Sequence, residues 1–237
     1  MMNKIIHKAG DRGVAEHGWL HSKHSFSFAS YYNPDKLGFG FLRVLNDDIV
    51  EPGAGFGTHP HKDMEIVSIV FDGALEHKDS LGTGSVINKD DVQVMSAGTG
   101  VTHSEFNHSK SEKVNFLQLW IFPKEENIKP HYDQKSFPED KRINKLVTAV
   151  SGDKKKEALY IHQNAEIDLG YLQKNKKVDR AITFPGNGLY VFVTEGKIDV
   201  DGEVLNKKDA LGLTSISEVS IKSLVDSKFI IVEVPVN

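Results

Sequence analysis

His59-Pro60-His61 and His103-Ser104-Glu105 place metal-ligand residue types at i, i+2 spacing in two separate stretches of the chain. Alternate side chains of a β-strand point to one face, so each pair sends both of its groups into one space. If the two stretches are neighbouring strands of a small barrel, three imidazoles and a carboxylate converge on one interior point. That donor set suits a divalent first-row metal: iron, copper, nickel, manganese, cobalt or zinc. The chain has no cysteine, which excludes disulfides, thiolate metal sites and cysteine nucleophiles and leaves histidine and carboxylates as the available ligands. A single histidine would be read as a satisfied core group; two i, i+2 pairs in glycine-rich frames are read as a metal site.

The frames are Gly53-Ala54-Gly55-Phe56-Gly57-Thr58 before the first pair and Gly98-Thr99-Gly100-Val101-Thr102 before the second. Glycine-rich backbone is expected where a chain bends sharply or passes close to a neighbour at a barrel mouth. Pro60 lacks an amide hydrogen and fits an edge or a bulge. By strand parity alone Glu65 also points inward, so spacing does not separate it from Glu105 as the carboxylate ligand. His77 and Asp79 are read either as support for a ligand or as a polar turn leaving a strand. The other histidines (His7, His17, His21, His24, His108, His131 and His162) lack comparable geometry and are expected to be structural or exposed. Among these, His21 and His24, near Phe26 and Phe28, are the ones that could border the site mouth.

The elements that must hold these pairs read as strands. Short apolar or alternating runs occur at 40–45, 65–71, 92–95, 114–122, 189–194, 197–200 and 229–234. They are punctuated by Asp72-Gly73, Glu195-Gly196, Asp201-Gly202 and Pro185-Gly186-Asn187-Gly188, which are turn chemistry. No segment reads as a long amphipathic helix, so the fold class is all-β, a sandwich or barrel. The run 114–122 is apolar on both faces and is predicted to be a buried central strand, with Trp120 and Phe122 in the core. The polar stretch 124–142 reads as a connection, with a domain boundary near residue 136: an N-terminal metal-binding domain over 1–135 and a C-terminal domain over 136–237. A weak repeat supports two similar domains. Aligning Gly73 with Gly196 superposes strand, turn and strand, yet puts Ile182 and Phe184 at the positions of His59 and His61, so only the first domain is expected to hold metal.

At 237 residues the chain has ample material for a buried core, and its net charge of −4 is mild. Lysines cluster at 154–156 and 174–177 but read as solvated turns, so no nucleic-acid surface is expected. No apolar signal core or membrane-length run occurs, and a cytoplasmic location and a monomer are the expectations.

Gly53, five residues, His-x-His, three residues and Glu65 match the first cupin motif; Gly100-x-x-His103-x-x-x-Asn107 closes the second. The proline usual in the second motif is Gly98 here, expected to loosen that turn without touching a ligand. The strings THPHKDMEIVSIVFDG, EHKDSLG, VQVMSAGTGVTHSE and LQLWI more narrowly resemble the pirin family, including its quercetinase-type bacterial members. The resemblance covers most of 20–122 and is weaker beyond. It implies a bicupin of two antiparallel jelly-roll-like β-barrels packed face to face, with one metal, Fe(II) first, held by His59, His61, His103 and Glu105. It favours Glu105 over Glu65.

The activity implied is quercetin 2,3-dioxygenase-like: a flavonol and dioxygen as co-substrates, Glu105 as general base, and ring opening with loss of carbon monoxide. The family also implies an alternative, a metal-binding, redox-responsive co-regulator that acts through a protein partner without turning over flavonols.

Overall fold

Alternating runs separated by tight turns become strands almost throughout. The computed structural model describes residues 3–236, and the helices there are two 3-10 turns, Ala9–Asp11 and Glu139–Lys141. Among the described residues no helix is long and apolar enough to cross a membrane.

The strands form four sheets. The first large sheet has seven strands in the order His131–Ser136, Asp91–Ser96, Glu65–Asp72, Val114–Ile121, Leu42–Val50, Leu20–His24 and Gly13–Glu16. A four-stranded sheet faces it, ordered Gly55–His61, Val101–Asn107, Ala74–Asp79 and Gly84–Asn88. The second half repeats the plan. Lys177–Ala181, Glu218–Ser223, Lys197–Val200 and Glu203–Asn206 make its small sheet. Its large sheet contains Asn187–Glu195, flanked by Ala210–Thr214 and Ser227–Pro235, just as Glu65–Asp72 is flanked by Asp91–Ser96 and Val114–Ile121. The repeat seen in sequence is therefore a repeat of topology. Each half is a jelly-roll sandwich of two separate sheets rather than a closed hydrogen-bonded barrel.

The two large sheets pack on one another. Leu45, Val67, Leu117 and Leu119 from the first lie in the same buried cluster as Ile167, Leu169, Tyr190, Phe192 and Ile230 from the second. Each such side chain removed from water contributes about 1.5–3 kcal/mol, so the halves share a core. The strand Asn3–His7, which a division at residue 136 assigns to the first half, pairs with Ala210–Thr214 at the edge of the second large sheet. His7 then anchors it, its Nδ1 2.9 Å from the Tyr190 hydroxyl.

Two sequence expectations are corrected. The polar connection 124–142 contains a strand, His131–Ser136, paired with Asp91–Ser96. Backbone hydrogen bonds make this pairing, and an edge strand tolerates polar and charged side chains, so a polar sequence suffices. Val114–Ile121 is central, as its two apolar faces predict, but Trp120 is only partly buried and turns toward the small sheet. Phe122, one residue past the strand, is 41% exposed and meets Phe41 edge-on.

Candidate metal centre

Strands Gly55–His61 and Val101–Asn107 are antiparallel neighbours, with His59 opposite His103 and Glu105 opposite Phe56. Between those two pairs the register shifts, so one strand carries an extra residue and bends. Gly55 permits the close approach: a Cβ there would fall 2.3 Å from the Glu105 carbonyl oxygen and 2.4 Å from the Phe106 Cα. Gly98 holds the preceding turn at φ +46°, with Ile128 O 2.1 Å from where its Cβ would sit. Proline cannot adopt that angle. Glycine therefore tightens this turn instead of loosening it.

The register brings the predicted side chains together. Ring centroids of His59, His61 and His103 lie 4.5–4.9 Å apart. One nitrogen from each lies within 4.8 Å of the others, and His77, His103 and Glu105 form a second such group. Glu65 belongs to neither group. It is completely buried, and one of its oxygens accepts a 2.7 Å hydrogen bond from Ser96.

Hydrogen bonds fix which nitrogens are free. His59 Nδ1 is 2.8 Å from the Gly57 carbonyl, which can only accept, so Nδ1 carries the proton and Nε2 keeps its lone pair. His77 Nε2 lies 2.9 Å from an Asp79 carboxylate oxygen. With that proton donated to Asp79, His77 Nδ1 is an acceptor for His103 Nδ1 across a long 3.5 Å contact. His103 Nε2 is then left buried with its lone pair free and no partner. A buried nitrogen in this state is costly unless something binds it. A divalent metal fits the donor set and this orphaned atom.

Electrostatics keep His61 and His103 neutral. Burial, then the neighbouring His59 and His61, push His103 down to about 2, and burial followed by His59 lowers His61 to about 4. Neutral imidazole is the form that ligates. Burial raises the Glu105 carboxyl; hydrogen bonds from Gln118 Nε2 at 2.7 Å and Ser68 Oγ at 3.3 Å offset part of that rise.

A cavity of about 210 Å³ opens beside His59 and Glu105. Phe28, Phe56 and Trp120 wall it, and Trp120 stands edge-on to His61 at 4.8 Å. Its polar side is a row across adjacent strands, His24 opposite Asn46 and Asn46 opposite Gln118; Ser68, opposite Gln118, extends the row past the cavity to Glu105. His24 Nδ1 and Asn46 Oδ1 are buried there without partners. Asp48, bonded to Ser22, lines the same cavity, and burial raises its carboxyl to about 7.

His24 thus belongs to the cavity, whereas His21 pairs with Glu16 at the surface. Sequence reasoning missed Asn46, Gln118 and Ser68. Their only signal is polarity within apolar strands, and the row depends on register.

A family model described as Pirin matches residues 7–121, and one described as Quercetinase C-terminal cupin domain matches 148–234. The chain is 39% identical over 230 residues to the quercetin 2,3-dioxygenase of Escherichia coli K12, covering 97% of this chain and 98% of that one. It is 40% identical to a pirin-like protein of Caulobacter vibrioides, covering 93% and 95% respectively. Among solved structures it resembles the bacterial pirin YhhW of E. coli in complex with nickel(II), with a TM-score of 0.93, 38% identity and coverage of 98% and 99%.

Proposed function

This chain belongs to the pirin family, and from that premise we propose that it is a metal-dependent dioxygenase that opens phenolic substrates of the flavonol type. His59, His61, His103 and Glu105 are the proposed ligands, and Fe(II) the proposed metal. The observation that carries this reading is the convergence of three imidazoles and one buried carboxylate beside a cavity with aromatic walls. A closed structural site would have no such space next to it.

A divalent metal bound there would supply charge that lowers the pKa of a phenolic hydroxyl, and an open position for dioxygen. The chain's own groups supply the rest. Glu105, its carboxyl raised by burial, accepts the hydroxyl proton as general base. Imidazoles committed to a metal cannot do this. Gln118 holds Glu105 in place and is itself held by Trp120, whose indole N–H donates to Gln118 Oε1 at 3.1 Å. Phe28, Phe56 and Trp120 pack an aromatic ring, and His24 Nδ1 and Asn46 Oδ1 offer unsatisfied sites to ring hydroxyls.

Ligand pockets that enclose drug-sized molecules run to about 300–1,000 Å³. A cavity of about 210 Å³ encloses one hydroxylated ring, with the remainder of a flavonol toward the mouth.

The test loads metal anaerobically, adds quercetin and then air, and follows flavonol absorbance and carbon monoxide. Consumption of both flavonol and dioxygen is expected. Metal-replete protein that leaves flavonols untouched removes this function. Glu105→Gln is expected to lower turnover more than flavonol docking, and His61→Ala to empty the site. Elemental analysis of protein purified without added metal tests the identity of the ion.

A further inference from the structure

On the far side of the first large sheet from the metal cavity, a second cleft of about 570 Å³ lies between the two halves. That volume falls within the usual range for small-molecule sites, about 300–1,000 Å³. We propose that this cleft is a separate binding site for a small aromatic carboxylate, with Arg142 as its anion anchor.

The walls come from both large sheets. Ile49 and Phe71 line it from the first; Leu169 and Ile230 line it from the second. Ile49 and Phe71 are partly exposed, and Leu169 and Ile230 supply a buried apolar floor. A flat apolar body can lie there out of water.

The surrounding charges are not evenly spent. Asp47 is shared by Lys208 at 2.9 Å and Arg12 at 3.4 Å, and also accepts from Asn115 at 3.3 Å. Asp90 is taken by Arg142, Glu139 by Lys228 and Glu195 by Lys207. Asp72, at the end of its strand, is exposed and solvated. The lining carboxylates other than Asp72 therefore already hold cations, which disfavours a cationic ligand. The lining charges balance, five cations against five carboxylates, but the hydrogen bonds of Arg142 do not. Arg142 is buried, with 7% of its surface exposed, yet its guanidinium makes a single hydrogen bond, to Asp90, and its Nε has no partner. A guanidinium carries five N–H donors in a planar fork matched to a carboxylate. The fork's Nη1 also makes no hydrogen bond and, unlike Nε, is not sealed from solvent, so an anion in the cleft can pair with it.

Neither His59 nor Glu105 borders this cleft. Asp47 faces it, while the next residue, Asp48, faces the metal cavity, so the sheet separates the two sites. The inference stands independently of any reaction at the metal centre.

The probe is 2-naphthoate, a fluorescent monocarboxylate that does not chelate metal well, titrated into the full chain with and without metal. Saturable binding is expected in both forms, with a Kd of about 1 mM or tighter for a ligand of this size. The uncharged 2-naphthylmethanol is expected to bind about tenfold more weakly, and Arg142→Gln to weaken 2-naphthoate about tenfold. Amide chemical-shift changes in the unmodified chain should centre on Asn115, Leu169 and Thr194 and spare His59 and His103. This map decides the case even if the Arg142 variant does not fold. Three results would overturn the proposal: no saturation by about 10 mM, shift changes confined to the metal cavity, or equal binding of the acid and the alcohol.

Discussion

Glu65→Gln separates a buried neutral carboxyl from a metal ligand. Glu65 is fully buried and lies outside the imidazole cluster; burial raises its pKa from 4.5 to about 7, and a hydrogen bond from Ser96 offsets part of that rise. In the unfolded chain the carboxyl ionises near its ordinary value. Between the two pKa values the native state therefore holds a proton that the unfolded state has released, and stability falls as pH rises through that window. That shift corresponds to a penalty of about 3 kcal/mol at pH 7 and under about 1 kcal/mol at pH 5. Glutamine is nearly isosteric, keeps an acceptor for Ser96 and never ionises.

The stability gap between Glu65→Gln and the parent should therefore widen in the variant's favour by about 2 kcal/mol from pH 5 to pH 7. His7, lowered to about 4 by burial, works in the opposite direction. Its stabilising contribution is complete above about 6.5 and is lost as pH falls toward 4, but it is common to both proteins and cancels in the difference. The assay is urea denaturation of both metal-free proteins at pH 5, 6 and 7, with metal content measured separately after loading. A gap that does not change with pH would refute the buried-proton argument. Loss of bound metal in the variant would make Glu65 a ligand.

Asp79→Asn removes the acceptor that orients His77 and, through it, His103. Metal affinity is expected to fall about 10–100-fold, read by competition with a chelator, while His59 and His61 stay in place. Gly55→Ala would drive a methyl group into the Glu105 backbone. Calorimetry should show a loss of about 1–3 kcal/mol, together with weaker metal binding. In the second half, the Arg180 guanidinium ties together Glu166, Asp168 and Glu233 at 2.8, 2.6 and 3.0 Å, all buried. Arg180→Leu strands these carboxylates and should cost about 3–5 kcal/mol by chemical denaturation, with metal content unaffected; a loss under about 1 kcal/mol would mean that water reaches them.

The sequence by itself determined the strand content, the duplication, and the two i, i+2 pairs, His59 with His61 and His103 with Glu105, each sent to one face. Those features are local: period-two alternation, turn residues and i, i+2 spacing are written in adjacent positions, and a strand turns spacing directly into direction. The motifs also carried the family. Tertiary structure decided what lies across strands. The pairing of Asn3–His7 with the second half depends on contacts more than two hundred residues away. So does the choice between Glu65 and Glu105 as neighbours of the imidazoles. Parity sends both inward, but the two sit on different sheets, and only Glu105 reaches the cluster. Trp120 looked like core because its strand is apolar on both faces; the cavity it borders exists only once the small sheet is laid over the large one. Asn46, Gln118 and Ser68 are unremarkable polar residues in three separate strands, and register alone makes them a row with His24.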